Sequence, residues 1–121
     1  MSAKIESYKD LLDWQQAMDL AVATYLTKGW PKEEIYGLTS QASRAASSVP
    51  ASIAEGYGRE NSGSYQQFWR TAQESLKELE THSLPAERIG FATRGAIAPL
   101  MTCSESVGKL LRLLIRKLST C

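Results

Sequence analysis

The chain is short of most of the chemistry that marks a function. It has two cysteines, Cys103 and Cys121, too few to frame a small secreted scaffold. It has one histidine, His82, so a His-rich metal centre has nothing to draw on. The residue three before it is Leu79, which breaks the Glu-x-x-His pattern of di-iron bundles. His82 therefore reads as a helix-surface or rim residue, and no metal or cofactor is expected. Charge of one sign is also missing. Fourteen basic and thirteen acidic side chains leave a net charge of +1, which excludes a protein that coats itself in nucleic acid all over. Long apolar runs are absent too. The stretch from Leu110 to Ile115 is broken by Arg112 and is too short to cross a bilayer. The opening residues lack the apolar core of a secretion signal, so a reduced cytoplasmic setting without membrane contact is expected.

What remains is helical. With 121 residues and 43% hydrophobic content the chain suits one compact domain, 1–121. Four segments carry helical periodicity and none alternates like a strand. The spacing predicts helices over about 8–28, 36–57, 64–89 and 94–118, each roughly 30–40 Å long at 1.5 Å per residue. In the first, Leu11, Gln15, Met18, Val22 and Tyr25 form the expected buried stripe, with Leu12 and Leu26 beside them. Gly29 ends it, and Pro31 suits the first position of a short turn. The second is poor in large side chains and reads as an inner helix, with Leu38, Ala42, Ala45, Val49, Ile53 and Gly56 on one face. Pro50 should kink it. The third, with Ser62 or Ser64 as cap, buries Tyr65, Phe68, Trp69, Ala72, Leu76, Leu79 and Ser83. It carries Pro85 and stops at Gly90. The fourth places Leu100, Val107, Leu111, Leu114 and Leu118 on one stripe. Its start is ambiguous between Arg94 and Pro99, because Arg94 has the wrong sign for a helix N-terminus. The fold class is all-α, an antiparallel up-down-up-down four-helix bundle.

Several motifs then resemble a known family. Tyr8-Lys-Asp-Leu-Leu-Asp-Trp-Gln-Gln-Ala17, Tyr36-Gly-Leu-Thr-Ser-Gln41, Arg44-Ala-Ala46, Val49-Pro-Ala-Ser-Ile-Ala-Glu-Gly-Tyr-Gly-Arg59 and Ser75-Leu-Lys-Glu-Leu-Glu-Thr81 are similar to the four-helix-bundle proteins encoded in 23S rRNA intervening sequences. The resemblance covers nearly the whole chain. It implies a homo-oligomeric ring, a pentamer, with no known enzymatic activity. A related bundle, the accessory variability determinant of diversity-generating retroelements, is also a pentamer, and nucleic-acid binding through basic surfaces is attributed to it. The structural signature is Pro50, Ile53, Ala54, Glu55, Gly56, Gly58 and Arg59. Departures from the family pattern are Ser43 in place of an arginine, Ser52 in place of asparagine, Pro85, and Arg94-Gly-Ala-Ile-Ala-Pro99 in place of several glutamates.

No catalytic set emerges. Cys103 lacks the flanking bases that activate a thiolate and reads as a small packed hydrophobe. Gly56-Tyr-Gly-Arg59 follows a helix rather than a strand, so it fails as a phosphate loop. It reads as a chain reversal with a left-handed glycine. Glu55 reads as an acceptor of hydrogen bonds from neighbouring helices or a neighbouring subunit. Trp14, Tyr65, Phe68 and Trp69 read as core or subunit contact rather than a stacking platform, and Trp30 and Tyr36 as exposed loop aromatics.

Charge by segment is the more informative quantity. Residues 1–31, 32–60 and 61–90 each hold three basic and four acidic side chains. Residues 91–121 hold Arg94, Lys109, Arg112, Arg116 and Lys117 against Glu105 alone. Lys109, Arg112 and Arg116 recur at steps of three and four and share a helix face. The plainer reading is a solvated face with Glu105 pairing to Lys109. The functional reading is a stripe for RNA or DNA phosphates, repeated by assembly. The leading expectation is a non-enzymatic homo-oligomeric scaffold bearing that stripe, with no small-molecule substrate. A protein–protein scaffold without a nucleic-acid role is the alternative.

Overall fold

In a computed structural model, residues 6–27, 37–58, 62–90 and 92–119 are described. After a single 3-10 turn, Tyr8–Asp10, come four helices: α1 (Leu12–Leu26), α2 (Leu38–Tyr57), α3 (Ser62–Arg88) and α4 (Arg94–Ser119). They form a four-helix bundle in which consecutive helices pack together and α4 closes on α1. Cross-contacts run in opposed order along the α2–α3 and α3–α4 pairs, as antiparallel helices require. Gly56 meets Phe68 while Ser48 meets Ser75 between α2 and α3, and Gln66 reaches Ile115 while Glu80 meets Ser104 between α3 and α4.

Local chemistry sets the ends. Ser7 Oγ accepts from the Lys9 amide, and the Asp10 carboxylate accepts from the amides of Glu6 and Ser7. This reciprocal cap closes a short turn, and Leu11 is extended before α1 begins. The first predicted helix is therefore a turn plus a shorter helix. Its far end is finished by Thr27, whose hydroxyl donates to the Ala23 carbonyl at 2.7 Å. Gly90, at φ +83°, supplies the left-handed residue after α3. α4 begins at Arg94 rather than Pro99, because Thr93 caps it: its hydroxyl accepts from the Ala96 amide at 3.1 Å. Arg94 is tolerated there because its Nε donates to Glu87 Oε1, 3.1 Å away in the last turn of α3. Pro50, Pro85 and Pro99 all lie inside helices. Gly58 follows α2 in ordinary right-handed geometry (φ −75°, ψ −6°), so the left-handed role expected for this reversal is not Gly58's. α3 opens at Ser62, two residues early, and the capping role of the Ser62 and Ser64 side chains lies outside what is described. So do Gly29, Trp30, Pro31, Tyr36, Arg59, Cys121 and the Leu118 side chain.

The buried faces of α2, α3 and α4 are those their periodicity predicts, with Val49, Ile53, Leu79, Leu100, Val107 and Leu111 at the centre. The face of α1 is not. It buries Asp13, Ala17, Leu20, Ala21 and Thr24, whereas Met18, Val22 and Tyr25 stand outside. The reason is size. α2 offers Ala42, Ala45 and Ala46, all buried, and the alanines of α1 let the two helices approach closely where larger side chains would hold them apart.

Candidate functional site

Two surfaces stand out, one apolar and one basic, on opposite edges of the bundle.

The apolar surface follows from the rotation of α1. Leu12, Met18, Val22, Tyr25 and Leu26 are exposed, from 37% for Met18 to 74% for Leu26. Met18, Val22 and Tyr25 form one wall of a groove of about 410 Å³, beside Tyr8 and Trp14. The other wall is Ser47, Pro50, Ala51 and Ala54 of α2. Tyr25 closes one end through a 2.9 Å hydrogen bond with Ser47 Oγ. The signature residues are thereby explained in part. Pro50 and Ala54 line this groove, Ile53 is fully buried behind it, and Gly56 lets α3 cross. A Cβ on Gly56 would stand 2.8 Å from Phe68 Cβ, closer than carbon atoms approach. Glu55 is exposed, and its side chain makes no hydrogen bond or ion pair among the described residues. The expectation that it bonds to neighbouring helices of its own chain is thus not met, because it points away from them.

The basic surface is smaller than the sequence suggests. Lys109, Arg112 and Arg116 lie along one flank of α4, and Lys117 is turned about 100° from Arg116 by helix geometry. Lys109 Nζ lies 3.5 Å from Glu105 Oε1, the pairing the plainer reading expects, and both groups are largely exposed. Arg94 stands eighteen residues from Arg112 along the helix and is paired with Glu87. It does not belong to the stripe. Sequence reasoning missed Arg70 of α3, which lines the same furrow as Arg112. Its signal was invisible in one helix at a time, since the two arginines meet only when α3 and α4 pack.

A third feature lies inside. Asp13 is 3% exposed and its Oδ2 has no hydrogen-bond partner, and the nearby Trp69 Nε1 is also buried without one. Burial pushes the Asp13 carboxyl above its ordinary range, against the opposing pull of the Trp14 and Asp13 amides at the helix start and of the Trp69 indole N–H, which lies close to the carboxylate without hydrogen-bond geometry. Tyr65, whose ring lies 4.6 Å from that of Trp69 and tilted by 58° to it, is pushed up to about 12 by burial, with the charges of Asp13 and Tyr57 adding to it. Burial also pushes the Cys103 thiol up, as does Asp19, which is the opposite of an activated nucleophile. Among the described residues no three of His, Cys, Asp and Glu converge in a way that could hold a metal ion. Among the described residues no helix is long and apolar enough to cross a membrane.

Comparison with known proteins adds the family. The family described as 23S rRNA-intervening sequence protein matches residues 9–113. No curated protein matches the chain. Among solved structures, the chain is similar to a Bacteroides thetaiotaomicron VPI-5482 protein of unknown function from the S23 ribosomal protein family, at 20% identity and a TM-score of 0.78. The likeness covers 86% of this chain and 98% of that one, and it bears on the fold alone.

Proposed function

This chain belongs to the 23S rRNA-intervening sequence protein family, and on that premise we propose that it is a non-enzymatic helical-bundle scaffold. It assembles with copies of itself, as a ring of five, and offers a basic stripe on α4 to RNA or DNA phosphates. The observation that carries the reading is the apolar flank of α1. Five large side chains exposed on one short helix are more than a monomer leaves in water without use, and such patches mark association surfaces. The number five rests on the family resemblance. A reduced cytoplasmic setting belongs with this reading, as does the absence of any activated nucleophile from its mechanism.

The strand-binding part rests on Lys109, Arg112 and Arg116, with Lys117 at the edge. Contacts of this kind fix no sequence, and each neutralised phosphate steepens the dependence on salt. The test is direct. Native mass measurement should give a multiple of the 13.4 kDa chain, and paired Met18→Glu and Val22→Glu changes should reduce it to one copy. Labelled RNA and DNA should bind at low salt and release at moderate salt, with charge reversal at Arg112 and Arg116 weakening both. A monomeric wild type refutes the assembly, and no binding at low salt refutes the strand reading. The protein–protein scaffold remains the second reading. The Lys109–Glu105 and Arg94–Glu87 pairs favour it, since they leave fewer charges for phosphates.

A further inference from the structure

Between α3 and α4 lies a furrow of about 440 Å³, and its charges are unevenly committed. Ser104, itself buried, donates to Glu80 Oε1 at 2.9 Å, and Lys77 Nζ lies 3.6 Å from Glu80 Oε2. Glu105 is held by Lys109. Arg70 and Arg112 have no ion-pair partner among the described residues, and they enter the furrow from its two walls at the same end. Gly108, itself buried, lies at the bottom of the furrow one turn of α4 before Arg112. A Cβ there would only touch Arg112 Nη1 and Leu76 Cδ1, both at 3.7 Å, which places the Arg112 guanidinium directly over the glycine.

The furrow is therefore cationic at one end and acidic beyond it. Glu74 stands about one helical turn, roughly 6 Å, along α3 from Arg70, with Glu105 and Glu80 further on. A phosphodiester strand laid along the furrow would meet these carboxylates after its first group. A single phosphate with an organic body would not. A phosphomonoester is mostly dianionic at neutral pH and matches two guanidinium forks, each able to donate two parallel hydrogen bonds to it.

We propose that the α3–α4 furrow binds a phosphomonoester, its phosphoryl group held between Arg70 and Arg112 and its organic body resting on Leu76 and Gly108. The site shares Arg112 with the stripe but does not depend on strand binding. The same chemistry is supplied by a small free phosphomonoester or by the 5′-phosphate end of a nucleic acid.

The full chain is titrated at low ionic strength with adenosine 5′-monophosphate, with adenosine, and with one oligoribonucleotide carrying either a 5′-phosphate or a 5′-hydroxyl. Adenosine 5′-monophosphate binds and adenosine does not. Arg70→Gln and Arg112→Gln each weaken binding about tenfold or more, the loss of about one charge-assisted contact. Gly108→Leu, which fills the floor without changing a charge, does the same, and Gly108→Ala serves if the leucine variant fails to fold. Preference for the 5′-phosphorylated oligomer assigns the site to a nucleic-acid end, and binding of the mononucleotide without that preference assigns it to a small ligand. Absence of mononucleotide binding together with equal binding of the two oligomers overturns the proposal and leaves the stripe standing. Mononucleotide affinity unchanged in all the variants also overturns it. Mononucleotide binding without any oligomer binding supports the furrow and removes the strand reading.

Discussion

Replacing Asp13 by asparagine should stabilise the protein at neutral pH and do nothing for it in acid. The carboxyl is 3% exposed, one of its oxygens has no partner, and burial dominates the shift of its pKa upward. An unsatisfied buried polar group costs about 1–3 kcal/mol, and a charged one more. Against this, the negative charge sits in the first turn of α1, where the helix dipole and the Trp14 and Asp13 amides return about 0.3–1 kcal/mol. Asparagine keeps the shape and the unpaired polar position, so it removes only the extra cost of burying a charge and surrenders most of that return, for a net gain of about 1 kcal/mol. For a domain of this size that is a rise in melting temperature of roughly 3–5 °C. The pH dependence follows from the sign of the shift. Below the ordinary carboxyl value of 3.8 the residue is protonated in both states, and asparagine brings little. As pH rises through that value the unfolded chain ionises first, so the wild type loses stability relative to the variant. The difference levels off once pH passes the raised value of the folded state. Thermal or urea melts from pH 3 to 8, at constant ionic strength and protein concentration, measure it. A variant less stable than wild type at pH 7 yet equal to it at pH 3 would mean that the folded protein stabilises the Asp13 charge, and the reasoning would be wrong.

Other perturbations follow from single contacts. Gly56→Ala puts a carbon 2.8 Å from Phe68 Cβ and should destabilise by about 1–3 kcal/mol of overpacking, despite alanine's better helix propensity, as read from melts. Gly90→Ala should lower stability by about 1 kcal/mol, because φ is +83° there although nothing crowds the site. In a Cys121→Ser background, Cys103 should react with a thiol reagent more slowly than the same residue in the denatured chain, with the gap widest near neutral pH, since burial raises its pKa.

Three of the four helix faces were legible because α2, α3 and α4 each confine their core residues to one stripe. α1 was not, because its apolar residues occupy more than half of its circumference. Choosing the largest side chains selected Met18, Val22 and Tyr25, while packing against an alanine-lined neighbour rewards small ones. The same rule placed Ala17 and Ala21 inward and carried Asp13 with them. The α4 stripe was legible as a face, and its Glu105–Lys109 pairing with it. Arg94's engagement with Glu87 was not, since that pair spans the turn between two helices. Arg70 escaped for the same reason, as a lone arginine in a segment with a slight acidic surplus.

Bundle topology joins the two proposed surfaces. α1 touches α2 and α4, and α3 touches α2 and α4, so the α1–α2 groove and the α3–α4 furrow fall on opposite edges. In the proposed ring, where the α1 flank of one copy docks on a different surface of the next, Arg70, Lys109 and Arg112 stay uncovered provided that surface is not the α3–α4 edge. That matters because one chain is weakly equipped for phosphates. Its exposed Lys109–Glu105 pair offsets part of that lysine's attraction for a phosphate, and isolated exposed charges are readily screened by salt. A closed ring repeats the same edge around its rim, and a ligand spanning two subunits engages the second at the high effective concentration set by the first. Dissociating the ring with Met18→Glu and Val22→Glu should then weaken a long RNA far more than a mononucleotide, because only the former uses more than one copy. Equal losses for both would detach phosphate binding from assembly.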